Sequence, residues 1–182
     1  MDGRIIDTCC LLNLFASGKP REILHYFGGV RVSEYVQGEA LWIREYDHEF
    51  PPQLIPRRMD LTECLDAGVI AICRLEQSRE FELFMQFAQH LDEGEASVLA
   101  IAKVRGWIVA MDDRKARRIA AEQSVSTIST SEMIHSWTQS EQLSDRYVGE
   151  LLRNIQRFGR FVPRSTDPLY EWWMHRVESA QE

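Results

Sequence analysis

The sequence lacks the cysteine and histidine spacings of a zinc site or a redox-active thiol pair. Its four cysteines, Cys9, Cys10, Cys64 and Cys73, form no Cys-x-x-Cys pair, and its five histidines share no ligand spacing. Such spacings are typical of zinc sites and of dithiol centres. Cys9 and Cys10 are neighbours in an apolar run, so we expect buried free thiols. Zinc and thiol redox chemistry are therefore not indicated.

Several catalytic motifs are also missing. There is no Gly-x-x-x-x-Gly-Lys loop, no Gly-x-Ser-x-Gly elbow and no Gly-x-Gly-x-x-Gly turn. These absences argue against P-loop nucleotide hydrolysis, serine hydrolase chemistry and dinucleotide binding. The position two after Asp7 is Cys9, which removes the Asp-x-Asp start of an aspartyl-phosphate phosphatase.

Long apolar runs and net positive charge are absent too. No window approaches the ~20 apolar residues that a membrane-spanning helix needs, and no basic region precedes an apolar stretch at the N-terminus. We therefore expect a cytoplasmic protein that does not enter a membrane. The net charge of -7 argues against a general polyanion-binding surface. A local basic patch remains possible, because four cations cluster at Arg114, Lys115, Arg117 and Arg118.

What the 182 residues do contain is an alternation of short apolar, β-branched segments with amphipathic ones. The pattern predicts strands at 4–8, 30–36, 69–75, 107–111 and 125–128. It predicts helices at 9–16, 20–27, 37–45, 61–67, 78–90, 92–104 and 114–123. The proline-rich stretch 46–59 is expected to be a loop, and most of 131–182 to be helical. Strands that alternate with helices indicate an α/β fold with a parallel sheet between helices.

Acidic residues follow the predicted strands. Asp7 ends the first strand, and Asp112 and Asp113 end the strand at 107–111. Ligands of an open parallel sheet bind beyond the carboxyl ends of its strands. Two further acids are placed to converge there: Glu95 in the first turn of the helix at 92–104, and Glu39 in the helix predicted at 37–45.

Carboxylates gathered at one edge repel each other unless a cation is bound. An all-oxygen set without histidine or cysteine suits Mg²⁺ or Mn²⁺. An ion of this kind can activate water and neutralise the charge that develops on a phosphodiester. The acids therefore predict metal-dependent phosphodiester hydrolysis.

Each acid also has a simpler interpretation. Asp7 can cap the helix that follows it, and Asp92 with Glu95 fits a capping box. Glu39 can be a solvated helical residue. Of Asp112 and Asp113, one can bind metal while the other caps the next helix, and we favour Asp113 slightly as the ligand.

Neighbouring polar residues are candidates for supporting roles. Thr8 and Asn13 can donate hydrogen bonds to a carboxylate or to a metal-bound water, although local capping explains each about equally well. Arg114 and Arg117 follow the acidic pair, where a nucleic-acid backbone would lie. A solvated basic helix face is the commoner explanation of such a cluster.

Three segments resemble a known family, the PIN-domain ribonucleases that include the VapC-type toxins. They are "RIIDTCCLLNL", "VSEYVQGEAL" and "DEGEASVLAIAKVRGWIVAMDDRKARRIA". The resemblance implies a PIN-like three-layer α/β/α nuclease domain at 1–130, with extra C-terminal helices at 131–182 packed on the same domain. It also implies catalytic acids at Asp7, Glu39, Glu95 and Asp112 or Asp113. The metal ligands among these would be Asp7, Glu95, Asp112 and Asp113.

The same resemblance implies a Mg²⁺ or Mn²⁺-dependent endoribonuclease that acts on RNA. It would be the toxin of a toxin-antitoxin pair, inhibited by a small antitoxin protein and forming a homodimer. Two alternatives remain open. One is a catalytically silent module that binds RNA or a protein, and the other is a DNA-directed nuclease with the same metals.

Overall fold

The computed structural model describes residues 3–39, 41–47 and 49–179. Its strands are β1 (Arg4–Ile6), β2 (Val30–Ser33), β3 (Trp42–Tyr46), β4 (Leu54–Arg58), β5 (Ile70–Cys73), β6 (Ile108–Ala110) and β7 (Thr127–Ile128). Five of them form a parallel sheet in the order β5-β2-β1-β6-β7. In this register Ile6 lies between Val32 and Ala110. The central strand β1 therefore ends at the middle of the carboxyl edge of the sheet.

The helices cover both faces of this sheet. They are α1 (Thr8–Ala16), α2 (Pro20–Phe27), α3 (Glu34–Gly38), α4 (Thr62–Asp66), α5 (Ser78–Phe87), α6 (Glu93–Arg105), α7 (Arg114–Glu122), α8 (Thr130–Ser140), α9 (Asp145–Asn154) and α10 (Tyr170–Ser179). A π-helix (Ile155–Gly159) continues α9. On one side, α3 and α5 contact α6, which packs on β1, β2 and β6; α1, α2 and α8 contact one another. The predicted three-layer α/β/α fold with a central parallel sheet is confirmed.

The core explains why the strands read as apolar runs in the sequence. Ile5 and Ile6 are both 0% exposed although successive strand residues point to opposite faces. Buried strands with helices on both faces need apolar residues on both. On one flank the core is completed by α6, in which seven consecutive residues from 96 to 102 are buried.

One region differs from the sequence prediction. The helix predicted at 37–45 is wrong: α3 ends at Gly38, and β3 follows as a strand. The loop predicted at 46–59 is also wrong in part, because β4 pairs with β3 as an antiparallel hairpin. Pro56 lies opposite Arg44 in this hairpin. A proline is tolerated there because both strands of a two-stranded sheet are edges. The predicted helix and loop also include Ala40 and His48, which lie outside the described residues.

The C-terminal region is helical as predicted, with a break at 161–169, and residues 180–182 lie outside the described part. It packs closely on the rest of the molecule. Trp173 of α10 is 0% exposed, and its ring lies 5.5 Å from that of Phe161. The π-helix contacts α1 and β3. Among the described residues, none of the helices has the length and apolar character required to cross a membrane.

Candidate active site

Asp7 lies directly after β1 at the carboxyl edge of the sheet. Its N–H donates to the carbonyl oxygen of Ala110 at 2.9 Å, which ties the end of β1 to β6. Its carboxylate Oδ2 accepts a 3.4 Å hydrogen bond from the N–H of Cys9, so Asp7 does cap α1. The side chain is only 2% exposed. Asp7 is therefore both a helix cap and a buried carboxylate.

The environment of Asp7 disfavours its charge. Burial raises the pKa of Asp7 to about 7, against the lowering effect of backbone hydrogen bonds from Thr8 and Cys9. The negative charges of Asp92 and Glu39 raise it further. Near neutral pH this carboxyl group must take up a proton or face a cation.

The sequence predicted a helical Glu39, and this prediction is wrong. Glu39 is the extended residue that follows α3. Its Oε2 accepts a 2.7 Å hydrogen bond from Thr8 Oγ1, which is the predicted hydrogen bond of Thr8 to a carboxylate. Burial and the negative charge of Asp92 raise the pKa of Glu39, and the bond from Thr8 opposes them. Its Oε1 occupies the space where a Cβ on Gly94 would be, only 2.2 Å away. Glu39 therefore reaches the start of α6.

Glu95 lies in the first turn of α6, as predicted, and Asp92 caps this helix by accepting a 2.8 Å hydrogen bond from the Glu95 N–H. Burial raises the pKa of Glu95 to about 7, and the charges of Asp92, Asp7 and Asp113 contribute. Ser97 fixes the helix to the sheet through a 2.8 Å hydrogen bond with Ser33 at the end of β2. Asp92 is thus a member of the acidic cluster as well as a cap, a role that sequence reasoning missed.

Asp112 is held by side chains from two helices. Asn13 Nδ2 donates to Asp112 Oδ2 at 3.0 Å, the predicted bond of Asn13 to a carboxylate. Thr130 donates to both oxygens, from Oγ1 to Oδ2 at 2.6 Å and from its N–H to Oδ1 at 2.9 Å. Thr130 was not a predicted site residue. The available signal was its position just after the last predicted strand, at the same edge as Asp7.

The adjacent Asp113 points differently. It is exposed, and its Oδ1 accepts a 2.9 Å hydrogen bond from the N–H of Ala116, so it caps α7. Its charge still contributes to the raised pKa of Glu95. Of the two neighbouring acids, Asp112 is the one whose orientation is fixed toward α1, whereas Asp113 has the capping role.

A groove of about 840 Å³ opens beside these acids. One part of its lining consists of the acids Asp112, Asp113 and Glu132 with Arg114 and Arg117, and another part is the segment 159–168, which contains Arg160, Arg164 and Asp167. The thiol of Cys9 also faces the groove and is exposed, so the predicted burial of Cys9 is wrong. The reason is that successive helical residues point in different directions, and only Cys10 points into the core. Although one side of Cys9 is open to the groove, desolvation by the surrounding protein atoms and the nearby carboxylates raise the pKa of its thiol to about 12, so it stays a thiol.

The donor set of this edge suits a hard divalent cation. The acids supply oxygen ligands only, and a bound positive charge would offset the burial and the mutual repulsion that raise the pKa values of Asp7 and Glu95. As the side chains stand in residues 3–39, 41–47 and 49–179, no three His, Cys, Asp or Glu groups converge closely enough to hold an ion. Three protein ligands on one ion would therefore require rotation of carboxylate side chains, whereas one or two carboxylates with water would not.

Comparison with known proteins identifies the fold family. A family model described as a PIN domain matches residues 4–171, which is far more than half of the chain. No curated protein and no solved structure matches this chain. PIN domains are usually nucleases and typically use divalent metal ions. The sheet with acids at its carboxyl edge and this match together show that the chain belongs to the PIN-domain family.

Proposed function

We propose that this chain is a Mg²⁺ or Mn²⁺-dependent endoribonuclease that hydrolyses RNA phosphodiesters. The observation that carries the proposal is the nearly fully buried carboxylate of Asp7, whose charge is disfavoured by burial and by Asp92 and Glu39. A group of this kind is costly to keep without a function, and it lies at the edge of the sheet where α/β folds bind ligands.

The residues of the edge divide into ligands and supports. Asp7, Glu95 and Asp112 are the proposed metal ligands, with Asp113 able to contribute from the rim and Glu39 acting as a further catalytic acid. A bound divalent ion would activate water and neutralise charge on the phosphodiester. Thr8 fixes Glu39, and Asn13 together with Thr130 fixes Asp112. Such supporting hydrogen bonds orient ligands before the ion arrives.

Substrate would approach from the groove side of this edge. Arg114 and Arg117 lie on α7 directly after the acidic pair and line the groove beside Asp112. Phosphate groups are attracted to such side chains, which offsets the repulsion between the acids and a polyanionic strand. This arrangement supports an RNA backbone that passes the acids along α7.

The decisive experiment is a cleavage assay on labelled RNA and DNA strands of the same sequence, with Mg²⁺, with Mn²⁺ and with EDTA. We expect RNA cleavage with either metal, none with EDTA, and a loss on the order of 100-fold or more for Asp7→Asn. Asparagine is as good a helix cap as aspartate, so Asp7→Asn should keep the fold. Circular dichroism checks this point.

Each alternative has its own outcome in the same assay. Equal cleavage of DNA favours a DNA-directed nuclease. The absence of cleavage by the folded parent chain, combined with RNA or protein binding, favours a silent PIN-like module. Activity that persists in EDTA would contradict the metal-dependent mechanism.

We also propose that the chain is the toxin of a VapC-like toxin-antitoxin pair, acts in the cytoplasm and forms a homodimer. The support is the resemblance of the three sequence motifs to that branch of the PIN-domain family.

Induced expression should stop bacterial growth with the parent chain but not with Asp7→Asn. A small neighbouring reading frame whose product restores growth would identify the antitoxin, and light scattering would measure the mass of the dimer. Growth unaffected by the parent chain argues against the toxin role.

A further inference from the structure

The groove beside the acids has a second wall that the proposed catalytic residues do not explain. This wall is the segment 159–168, which connects the π-helix to α10. It contributes two arginines, Arg160 and Arg164, both exposed. Together with Arg114 and Arg117 on the opposite side, four guanidinium groups border one groove of about 840 Å³.

Three of these four arginines have no carboxylate partner among the residues that the structure describes. Within the described part of the chain, no acidic oxygen lies within 4.0 Å of a side-chain nitrogen of Arg114, Arg160 or Arg164. Arg117 has only a distant pairing, 3.7 Å from Glu132. By contrast, the exposed Arg79 and Arg146 each pair with a glutamate on their own helix. The groove is also lined by the carboxylates of Asp112, Asp113, Glu132 and Asp167, so its formal charges balance. The positive charge open to an external anion is therefore local to the arginines that have no acidic partner among the described residues.

Hydrogen bonds and side-chain packing hold the segment 159–168 in place. Asp167 accepts a 2.8 Å hydrogen bond from Ser131 Oγ at the start of α8, and its other oxygen accepts from the N–H of Leu169. Phe161 packs on the buried Trp173. Gly159 lies so close to α1 that a Cβ there would be 2.8 Å from Asn13 Oδ1. The wall is thus joined directly to the residue that orients Asp112.

We infer that the segment 159–168 is the second wall of the nucleic-acid site, and that Arg160 and Arg164 contact the phosphate groups of a single-stranded RNA. The volume of the groove is that of a small-molecule pocket, which accommodates a short stretch of one strand but not a duplex. Cationic side chains that follow the backbone along a groove are the usual contacts of single strands, and Arg160 and Arg164 are placed to make such contacts. This inference rests on the proposed function and assigns a role to the C-terminal region in it.

The test measures binding separately from cleavage. Labelled single-stranded RNA is titrated with the full chain carrying Asp7→Asn, in EDTA, and fluorescence anisotropy gives the affinity at several salt concentrations. Adding Arg160→Ala and Arg164→Ala should weaken binding about tenfold at low salt. The logarithm of the binding constant falls with the logarithm of the salt concentration, and the magnitude of this salt slope should decrease by about 1.4, since each phosphate contact on a single strand contributes about 0.7. The matched control, Arg79→Ala with Arg146→Ala, removes the same charge elsewhere and should leave the slope unchanged.

The outcomes separate this inference from the proposed function. If the groove variant and the control bind alike while the parent chain cleaves RNA with Mg²⁺, the groove inference is overturned and the nuclease stands. If the groove variant loses binding but the parent chain never cleaves RNA, the groove stands and the nuclease fails. A duplex RNA that competes as well as the single strand contradicts the single-strand specificity. No RNA binding at all contradicts the groove inference and would leave an acidic protein segment as the ligand to seek.

Discussion

At the scale of single residues, Gly94 and Glu39 share one small space. The carboxylate of Glu39 lies where any larger residue at position 94 would place its Cβ. Glycine inside a helix normally costs stability relative to alanine. Its presence in the first turn of α6 is explained by the room that it gives to a carboxylate from the other side of the site.

We predict that Gly94→Ala separates activity from stability. The free energy of unfolding should change by no more than about 1 kcal/mol, because the gain in helix propensity offsets the local crowding. Cleavage should fall by about 10- to 100-fold, because the displaced Glu39 loses its bond to Thr8. Urea denaturation and the RNA cleavage assay measure the two effects.

The control for this prediction is Gly38→Ala, at the end of α3. A Cβ at Gly38 meets no atom within 4 Å, so both stability and activity should stay near those of the parent chain. An active Gly94→Ala enzyme would mean that Glu39 has no part in catalysis in the position described.

At the scale of elements, one ion pair fixes α6, which carries Glu95, to α5. Glu80 is 0% exposed and receives a bidentate contact from Arg105, with Nε to Oε1 at 2.6 Å and Nη2 to Oε2 at 3.1 Å. Backbone N–H groups of Glu76 and Gln77 also donate to it. Burial by itself raises the pKa of Glu80, but these hydrogen bonds outweigh burial and hold its pKa below the ordinary 4.5.

We predict a pH-dependent loss of stability for Glu80→Gln. At pH 7 it should lower the free energy of unfolding by about 3 kcal/mol, since it removes the buried partner charge of Arg105, whose remaining contact with the exposed Glu76 is 3.4 Å long. A depressed pKa stabilises the fold above the ordinary value of 4.5, and this contribution is lost as the pH falls below it. The difference between variant and parent should therefore shrink at pH 3, measured by urea denaturation.

Glu82→Gln is the matched control on the same helix. Glu82 pairs with Arg79 on the surface, where both side chains are more than half exposed. Exposed pairs contribute at most about 1 kcal/mol, so this variant should match the parent chain at both pH values. An equal effect of the two variants would contradict the importance of the buried pair.

At the scale of the whole molecule, the C-terminal helices complete the same core that holds the sheet. Buried residues of α8, α9 and α10 belong to one hydrophobic cluster with the sheet, and Trp173 is among its largest fully buried side chains. The family match also continues into this region, to residue 171. A region with so much of its surface in a shared core should fold with the rest.

We predict that Trp173→Ala destabilises the whole chain and not the C-terminal region alone. The loss should be about 3–5 kcal/mol, from lost burial and the cavity left behind. Unfolding followed by far-UV circular dichroism and by tryptophan fluorescence should give one coincident transition. The control Trp42→Ala, on the exposed face of the hairpin, should cost no more than about 1 kcal/mol. Two separate transitions would instead indicate that residues 131–182 fold independently.

The sequence by itself determined the type of fold and the places of most acids. Apolar, β-branched runs that alternate with segments of helical periodicity specify a parallel sheet. The carboxyl ends of its strands then lie at one edge. Asp7 could be assigned to that edge because it directly follows such a run. Glu95 could be assigned to the start of α6 because the pattern around Asp92 is a local capping signal. These features depend only on residues near one another in the chain.

Only the tertiary structure decided which side chains meet and how. Asn13 and Asp112 are 99 positions apart, and Thr130 reaches the same carboxylate from α8. No local pattern distinguishes Asp112 from Asp113, yet packing orients the first toward α1 and leaves the second as a helix cap. The hairpin of β3 and β4 and the wall at 159–168 depend likewise on contacts between distant segments. Local sequence fixes the helical period and the caps, whereas the environment of each carboxylate is set by what the folded chain brings against it.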